Sequence, residues 1–203
     1  MTSDVAVEQD VKPFPCVHAL GLAILLAGCG SLPLPSLVQL SRVDAQTTDL
    51  GMLRVAVRLP EAVKPRPGGV NMDIVTKVSG EPDQKTTFLL TETRDAADLS
   101  GLADAARPGF SSYAYRLAPS DIEGVARIRD ALSRKRQEGR SGSLGIGIAT
   151  KEFCLVGRLP SGPLLVTTYL STAETRNYVI LTSDLDLRKE PAIAAELAKL
   201  GPC

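Results

Sequence analysis

Four cysteines, one histidine and no tryptophan decide most of the chemistry open to this 203-residue chain. A Ser-His-Asp triad, a Cys-His pair and a His-ligated zinc site all need an imidazole, and the chain offers one, His18. Cys29 is a nucleophilic thiol of another kind, preceded by the small residues Ala27 and Gly28 and by the apolar run at 17–26. Asp184 and Asp186, beside Thr182 and Ser183, could offer oxygens to a hard cation such as calcium, but without the Gly and Glu spacing of an EF-hand loop. They read instead as a solvated turn. Gly145-Ile146-Gly147 lacks the third glycine that opens a helix in a dinucleotide loop, so it reads as a strand allowing close backbone approach. Arg134-Lys135-Arg136, with Arg140, would attract anionic lipid head groups or simply complement the dipole at a helix C-terminus; the second reading is preferred. No Ser-x-x-Lys follows residue 29. The aromatic side chains Phe88, Phe110, Tyr113, Tyr115, Phe153, Tyr169 and Tyr178 make a poor stacking platform for sugars or bases without tryptophan. These residues assign no catalytic, cofactor-binding or metal site.

The apolar run at 17–26 is too short to span a bilayer and has the length of a signal-peptide core. It is followed by Leu26-Ala27-Gly28-Cys29, which resembles the lipobox of bacterial lipoprotein precursors. The resemblance implies a diacylglycerol on the Cys29 thiol and cleavage just before it by signal peptidase II, for which the small residues Ala27 and Gly28 fit. It also implies a cell-envelope location, and Gly30 after the cysteine is similar to outer-membrane examples facing the periplasm. One feature departs from that class: Asp4, Glu8 and Asp10 precede Lys12, where a positive segment is normal. Translation from Val11 would restore a short basic start, so residues 1–10 read as a start-site artefact.

Loss of residues 1–28 as a signal peptide removes His18 and Cys16. It also takes one Lys and three acids from balanced totals of 23 and 23, leaving a charge of about +2. That balance does not suit a strongly basic nucleic-acid binder. With Cys29 lipidated, Cys154 and Cys203 remain in an oxidising compartment, where a disulfide is favoured over two independent thiols. The bridge would close a loop of about 50 residues, worth about 4 kcal/mol by chain entropy.

The elements that must position these groups are mostly strands. Residues 30–48 begin Gly-Ser-Leu-Pro-Leu-Pro-Ser, which suits an extended tether over 29–49, though its Leu and Val content lets part of it dock. One globular domain is expected over 50–203. Leu53, Val55, Val57 and Leu59 alternate with Arg54, Ala56 and Arg58 until Pro60, a strand period. Residues 70–78 and 86–92 read as a hairpin, 110–117 as a strand, 144–149 and 153–156 as strands, and 164–170 with 177–182 as a second hairpin. Residues 96–106 read as weakly helical, broken by Gly101. Ser120-Asp-Ile-Glu123 has the capping-box pattern, and Ile122, Val125, Ile128 and Leu132 then form one helical stripe ending near Gly139. Pro191 should open a short C-terminal helix carrying Ile193, Leu197 and Leu200. The expected fold is α+β and β-rich: an antiparallel sheet or sandwich with one long amphipathic helix and a short C-terminal helix.

The residues favour a lipid-anchored, non-enzymatic binding or scaffolding module, joined to the membrane through Cys29 and to an envelope protein partner. The alternative is a lipid-anchored hydrolase using carboxylates or a Ser-Lys pair.

Overall fold

A computed structural model describes residues 34–150, 152–190, 193, 194, 197 and 199–203. Residues 1–28, expected as a signal peptide, Cys29 and Pro191 lie outside the described residues.

The chain enters through a short helix, α1 (Leu34–Leu40), and turns into β1 (Arg54–Pro60). Then come β2 (Val63–Pro65), β3 (Val70–Val78), β4 (Gln84–Thr93), α2 (Ala96–Ser100) and a 3-10 turn at Ala103–Ala105. After β5 (Phe110–Leu117) the long helix α3 (Pro119–Gln137) leads to β6 (Gly142–Thr150), β7 (Phe153–Leu155), β8 (Leu165–Ser171) and β9 (Val179–Asp186). Seven strands form one curled, antiparallel sheet in the order β6-β3-β4-β5-β1-β8-β9, and β2 pairs with β7 in a second, small sheet. The fold is α+β and β-rich.

β1 lies inside the sheet between β5 and β8, buried on both faces. Val55, Val57 and Leu59 enter the main core with Met72, Ile74 and Leu90. On the other face Ala56 sits opposite Ala114, and these small residues let Leu102, carried just after α2, pack down beside Tyr169. Alternation along a strand is what sends the two sets of side chains to opposite faces.

α3 covers the core side with Val125 and Leu132 buried and Ile122 and Ile128 partly so. A Cβ on Gly124 would meet the Phe88 ring at 2.9 Å, and one on Gly142 would meet Leu132 Cδ1 at 2.6 Å. Glycine at these two positions is what allows the helix to lie so close to the sheet. The expected capping box does not form. The N-cap is Ala118 and Pro119 is the first helical residue, because proline's fixed φ and missing N–H suit that position. Ser120 is thereby drawn inside the helix. The C-terminus is a Schellman turn: Gly139 has φ +82°, its N–H donates to the Arg136 carbonyl, and that of Arg140 to the Lys135 carbonyl.

The described part of the segment before β1 is not the expected extended tether but is folded into α1 and successive turns and docked on the domain. α1 packs against β9, Thr48 is buried, and Arg129 of α3 donates to the carbonyls of Ala45 and Thr48, each at 2.9 Å. β2 was not expected from the sequence, since three residues ending in Pro65 carry no legible period. At the C-terminus Ile193, Ala194 and Leu197 are helical, with Ile193, Leu197 and Leu200 against the core.

Candidate functional site

The curl of the sheet brings its two edges, β6 and β9, to the same cavity of about 600 Å³. Leu144, Ile146 and Ile148 alternate along β6 toward the core, and the same period carries Thr150 to the cavity wall. β8 contributes Val166 and Thr168, β9 contributes Thr182 and Leu185, and the following 3-10 turn contributes Leu187. Thr168 and Thr182 are register partners. Ile193, Leu197 and Leu200 from the C-terminal segment close the remaining side, with Phe153 from β7.

Among the described residues, the charged members of the lining are Arg66, Glu152 and Lys199. Arg66 and Glu152 are held together by the backbone. The Arg66 N–H donates to the Glu152 carbonyl at 3.0 Å, and that of Gly69 to the Arg66 carbonyl at 2.8 Å. A Cβ on Gly69 would lie 2.5 Å from the Glu152 carbonyl oxygen, so only glycine fits this turn. The Arg66 guanidinium donates to the Pro202 carbonyl at 3.4 Å. On this wall Thr150 Oγ1 is buried and has no hydrogen-bond partner among the described residues. This concave, mostly apolar cavity with a few polar atoms falls within the roughly 300–1,000 Å³ of ordinary ligand sites.

No protein-family model, curated protein or solved structure matches the chain. What the cavity can hold is therefore read from its lining.

The structure brings two of the sequence-derived residues together next to the cavity wall, though neither lines it. Cys154 and Cys203 lie at disulfide distance, Cα to Cα 4.9 Å, within the range a bridge requires. Cys154 is buried on β7. The C-terminus runs parallel beside it: the Leu155 N–H donates to the Gly201 carbonyl and that of Cys203 to the Leu155 carbonyl, both at 2.9 Å. The pair thus fastens the segment that forms one cavity wall.

The other sequence candidates are tied up elsewhere. Asp184 does not sit in a merely solvated turn; with φ +46°, its carboxylate accepts from Arg107 at 3.1 Å and Arg58 at 3.4 Å. Arg58 also lies over the rings of Phe110 and Tyr169, 5.8 Å from each centroid. Asp186 accepts from the Leu164 and Arg188 N–H groups at 3.0 and 3.2 Å. Among the described residues no group of three or more His, Cys, Asp or Glu could hold a metal ion.

The basic cluster is largely absorbed by the domain. Lys135 and Arg140 both bind Glu81 in the β3–β4 turn, and the hydrogen bond from Lys135 is foremost in holding the Glu81 carboxyl below its ordinary value. Arg136 donates to the Gly142 carbonyl and to Gln46, while Arg134 is exposed. At Gly145 and Gly147 the expected close backbone approach is absent, because a Cβ at either would meet nothing nearer than 3.9 Å.

Other shifted groups are structural ties. Burial pushes the Asp98 carboxyl up, but hydrogen bonds from Thr93 and Arg54 outweigh it and hold the group below its ordinary value. Burial pushes the Tyr178 hydroxyl up to about 12; that hydroxyl donates to the Asp98 carbonyl at 3.0 Å. Sequence reasoning missed the cavity and Arg66. The tight Arg66-Pro-Gly-Gly turn was the available signal, and it says nothing about what lies opposite.

Proposed function

We propose that this chain is a lipid-anchored protein of the bacterial cell envelope whose domain is a non-enzymatic binding module, with the cavity between β6 and β9 as its ligand site. Cys29 carries the anchor, the domain faces the periplasm from the outer membrane, and two or more acyl chains hold it there stably. The observation that carries the binding reading is the cavity of about 600 Å³, walled by Ile148, Val166, Leu185 and Leu197. Such walls favour a ligand by removing its apolar surface from water, at roughly 25 cal/mol per Å². An envelope protein is the partner that delivers or receives the ligand; nucleic acid is not. A hydrolase would require carboxylates or a Ser-Lys pair converging here, whereas the described titratable lining residues are Arg66, Glu152 and Lys199.

Two measurements test the reading. Intact mass of the full chain from bacterial membranes should show loss of residues 1–28 plus acyl mass, and Cys29→Ala should stay unprocessed; normal maturation of that variant would refute the anchor. A hydrophobic fluorophore such as 1-aminoanthracene should bind the full chain and be excluded by Thr168→Trp, which fills the cavity from a half-buried β8 position. Undiminished binding by that variant would refute the site.

A further inference from the structure

We infer that β6 is an interface strand: its free edge pairs antiparallel with β6 of a second copy of this chain, about a two-fold axis at Ile146. The two edges of the sheet are treated differently. β9 has α1 packed against it, its ladder with β8 is irregular around Thr168, and it carries Asp184 at φ +46°. Such devices keep an edge strand from pairing, and β6 has none of them. Residues 141–150 contain no charged residue and no proline, and β6 pairs with β3 in unbroken register over its whole length.

The Ser79 N–H donates to the Ser141 carbonyl at 2.9 Å at the end of that ladder. Bonding direction alternates along an antiparallel strand. Ser143, Gly145 and Gly147 therefore bond β3, while Leu144, Ile146 and Ile148 turn their N–H and C=O groups to the open side. Gly142 fits the same alternation, since its carbonyl accepts from the Arg136 guanidinium. Among the described residues none bonds the outward groups of Leu144, Ile146 and Ile148. A second β6 satisfies them all in one register. With Ile146 opposite Ile146 of the second copy, Leu144 lies opposite Ile148, and each outward group gains a partner. The three half-buried aliphatic side chains then continue as one ladder onto those of the second copy.

The same register explains Gly145 and Gly147. Both are exposed, neither has a left-handed φ, and their own chain leaves room for a Cβ at each, although glycine weakens a strand. Here Gly145 faces Gly147 of the second copy as a non-hydrogen-bonded pair, the closer kind, with Cα atoms about 4.5 Å apart. The backbone approach missing within one chain is supplied between two. Of residues 143–148 only Ile148 lines the cavity, so this interface is distinct from the ligand site.

Cysteines at positions 143 and 149 read this register, because the two positions face each other between copies but lie about 20 Å apart along one strand. The full chain is expressed in bacteria as Ser143→Cys, as Ala149→Cys, and as both variants together from separate genes, then oxidised with copper phenanthroline and digested with trypsin. The coexpressed pair should yield peptide 141–151 of one variant joined by a disulfide to that of the other, and neither variant alone should join to itself there. Adding Gly145→Lys and Gly147→Lys to both should abolish the joined peptide. In sedimentation those lysines should raise the dimer dissociation constant of the purified chain by at least about tenfold, by setting like charges opposite one another. Both positions have room for a side chain, so the lysine variant should keep the circular-dichroism spectrum of the parent, which shows it folded. A monomer at every concentration, with no joined peptide, would overturn the interface. A dimer in which Ser143→Cys joins itself, or one indifferent to the lysines, would overturn the register and the strand. Ser143→Cys joined instead to another protein would overturn the second copy as the occupant of this edge.

Discussion

Replacing Cys203 with Ser should lower the melting temperature of the protein substantially, and the structure sets the scale. The cysteines are 49 residues apart, so a bridge between them removes about 4 kcal/mol of loop entropy from the unfolded chain. Without it the C-terminus keeps the two backbone hydrogen bonds to Leu155 and the contact from Arg66, each contributing about 1 kcal/mol net, along with the buried Leu197 side chain. Ordering the tail opposes these at about 1–2 kcal/mol per residue. The tail in the variant should therefore detach locally part of the time, which makes 4 kcal/mol an upper figure for the global loss. At about 2–4 °C per kcal/mol for a domain of this size, the melting temperature should fall by up to about 8–16 °C. The assay is thermal unfolding followed by circular dichroism, with and without reductant, alongside a thiol count. Reductant should lower the melting temperature of the parent protein and do nothing further to the variant. Hydrogen exchange at the Leu155 amide should quicken, because its acceptor is the Gly201 carbonyl. Two free thiols in unreduced, periplasmically expressed protein, or an unchanged melting temperature in the variant, would refute the pairing and its role as a clasp.

Gly69→Ala should destabilise by about 1–3 kcal/mol, the usual penalty of forcing atoms into packed structure, because its Cβ would meet the Glu152 and Arg66 carbonyl oxygens at 2.5 and 2.9 Å; chemical denaturation measures it. Arg129→Leu should free residues 41–49 without unfolding the sheet, since both carbonyl contacts to Ala45 and Thr48 are lost. Limited proteolysis should then cut at Arg42 in the variant well before it cuts the parent. The depressed Asp98 carboxyl contributes stability that is complete above the ordinary carboxylate range and lost as pH falls through its lower folded value. Asp98→Asn should lower stability at pH 7 and flatten the acid limb of a stability–pH curve, and an unaltered slope would count against the Arg54 and Thr93 pairing. The raised Tyr178 hydroxyl works in the opposite direction. Above pH 10 the unfolded chain loses this proton first, so stability should fall between about 10 and 12, and Tyr178→Phe should lessen that fall.

Most of the strands are visible in the residues because a period of two is a local property. Leu53, Val55, Val57 and Leu59 announce β1 with no knowledge of its neighbours, and the turn at Gly80 announces the hairpin of β3 and β4. The stripe on α3 and the stop at Gly139 are equally local. The cysteine pair followed from elimination, with export as the premise, and the tertiary structure supplied the proximity. What the sequence could not decide is whatever depends on residues far apart in the chain. The capping-box pattern at Ser120 is local, and only the fold shows that Pro119 takes the first helical position instead. β2 exists because β7, about 90 residues later, lies alongside it. Asp184 read as a solvated turn and the basic residues at the end of α3 as complements to the helix dipole, and only the fold supplied Arg58, Arg107 and Glu81 as their partners. The cavity is the clearest case: Arg66, Ile148, Val166, Leu185 and Leu197 come from five separate segments, and no local pattern places the first strand edge opposite the last. That closure follows from the twist of a seven-stranded sheet, to which every strand contributes and which no single stretch of sequence encodes.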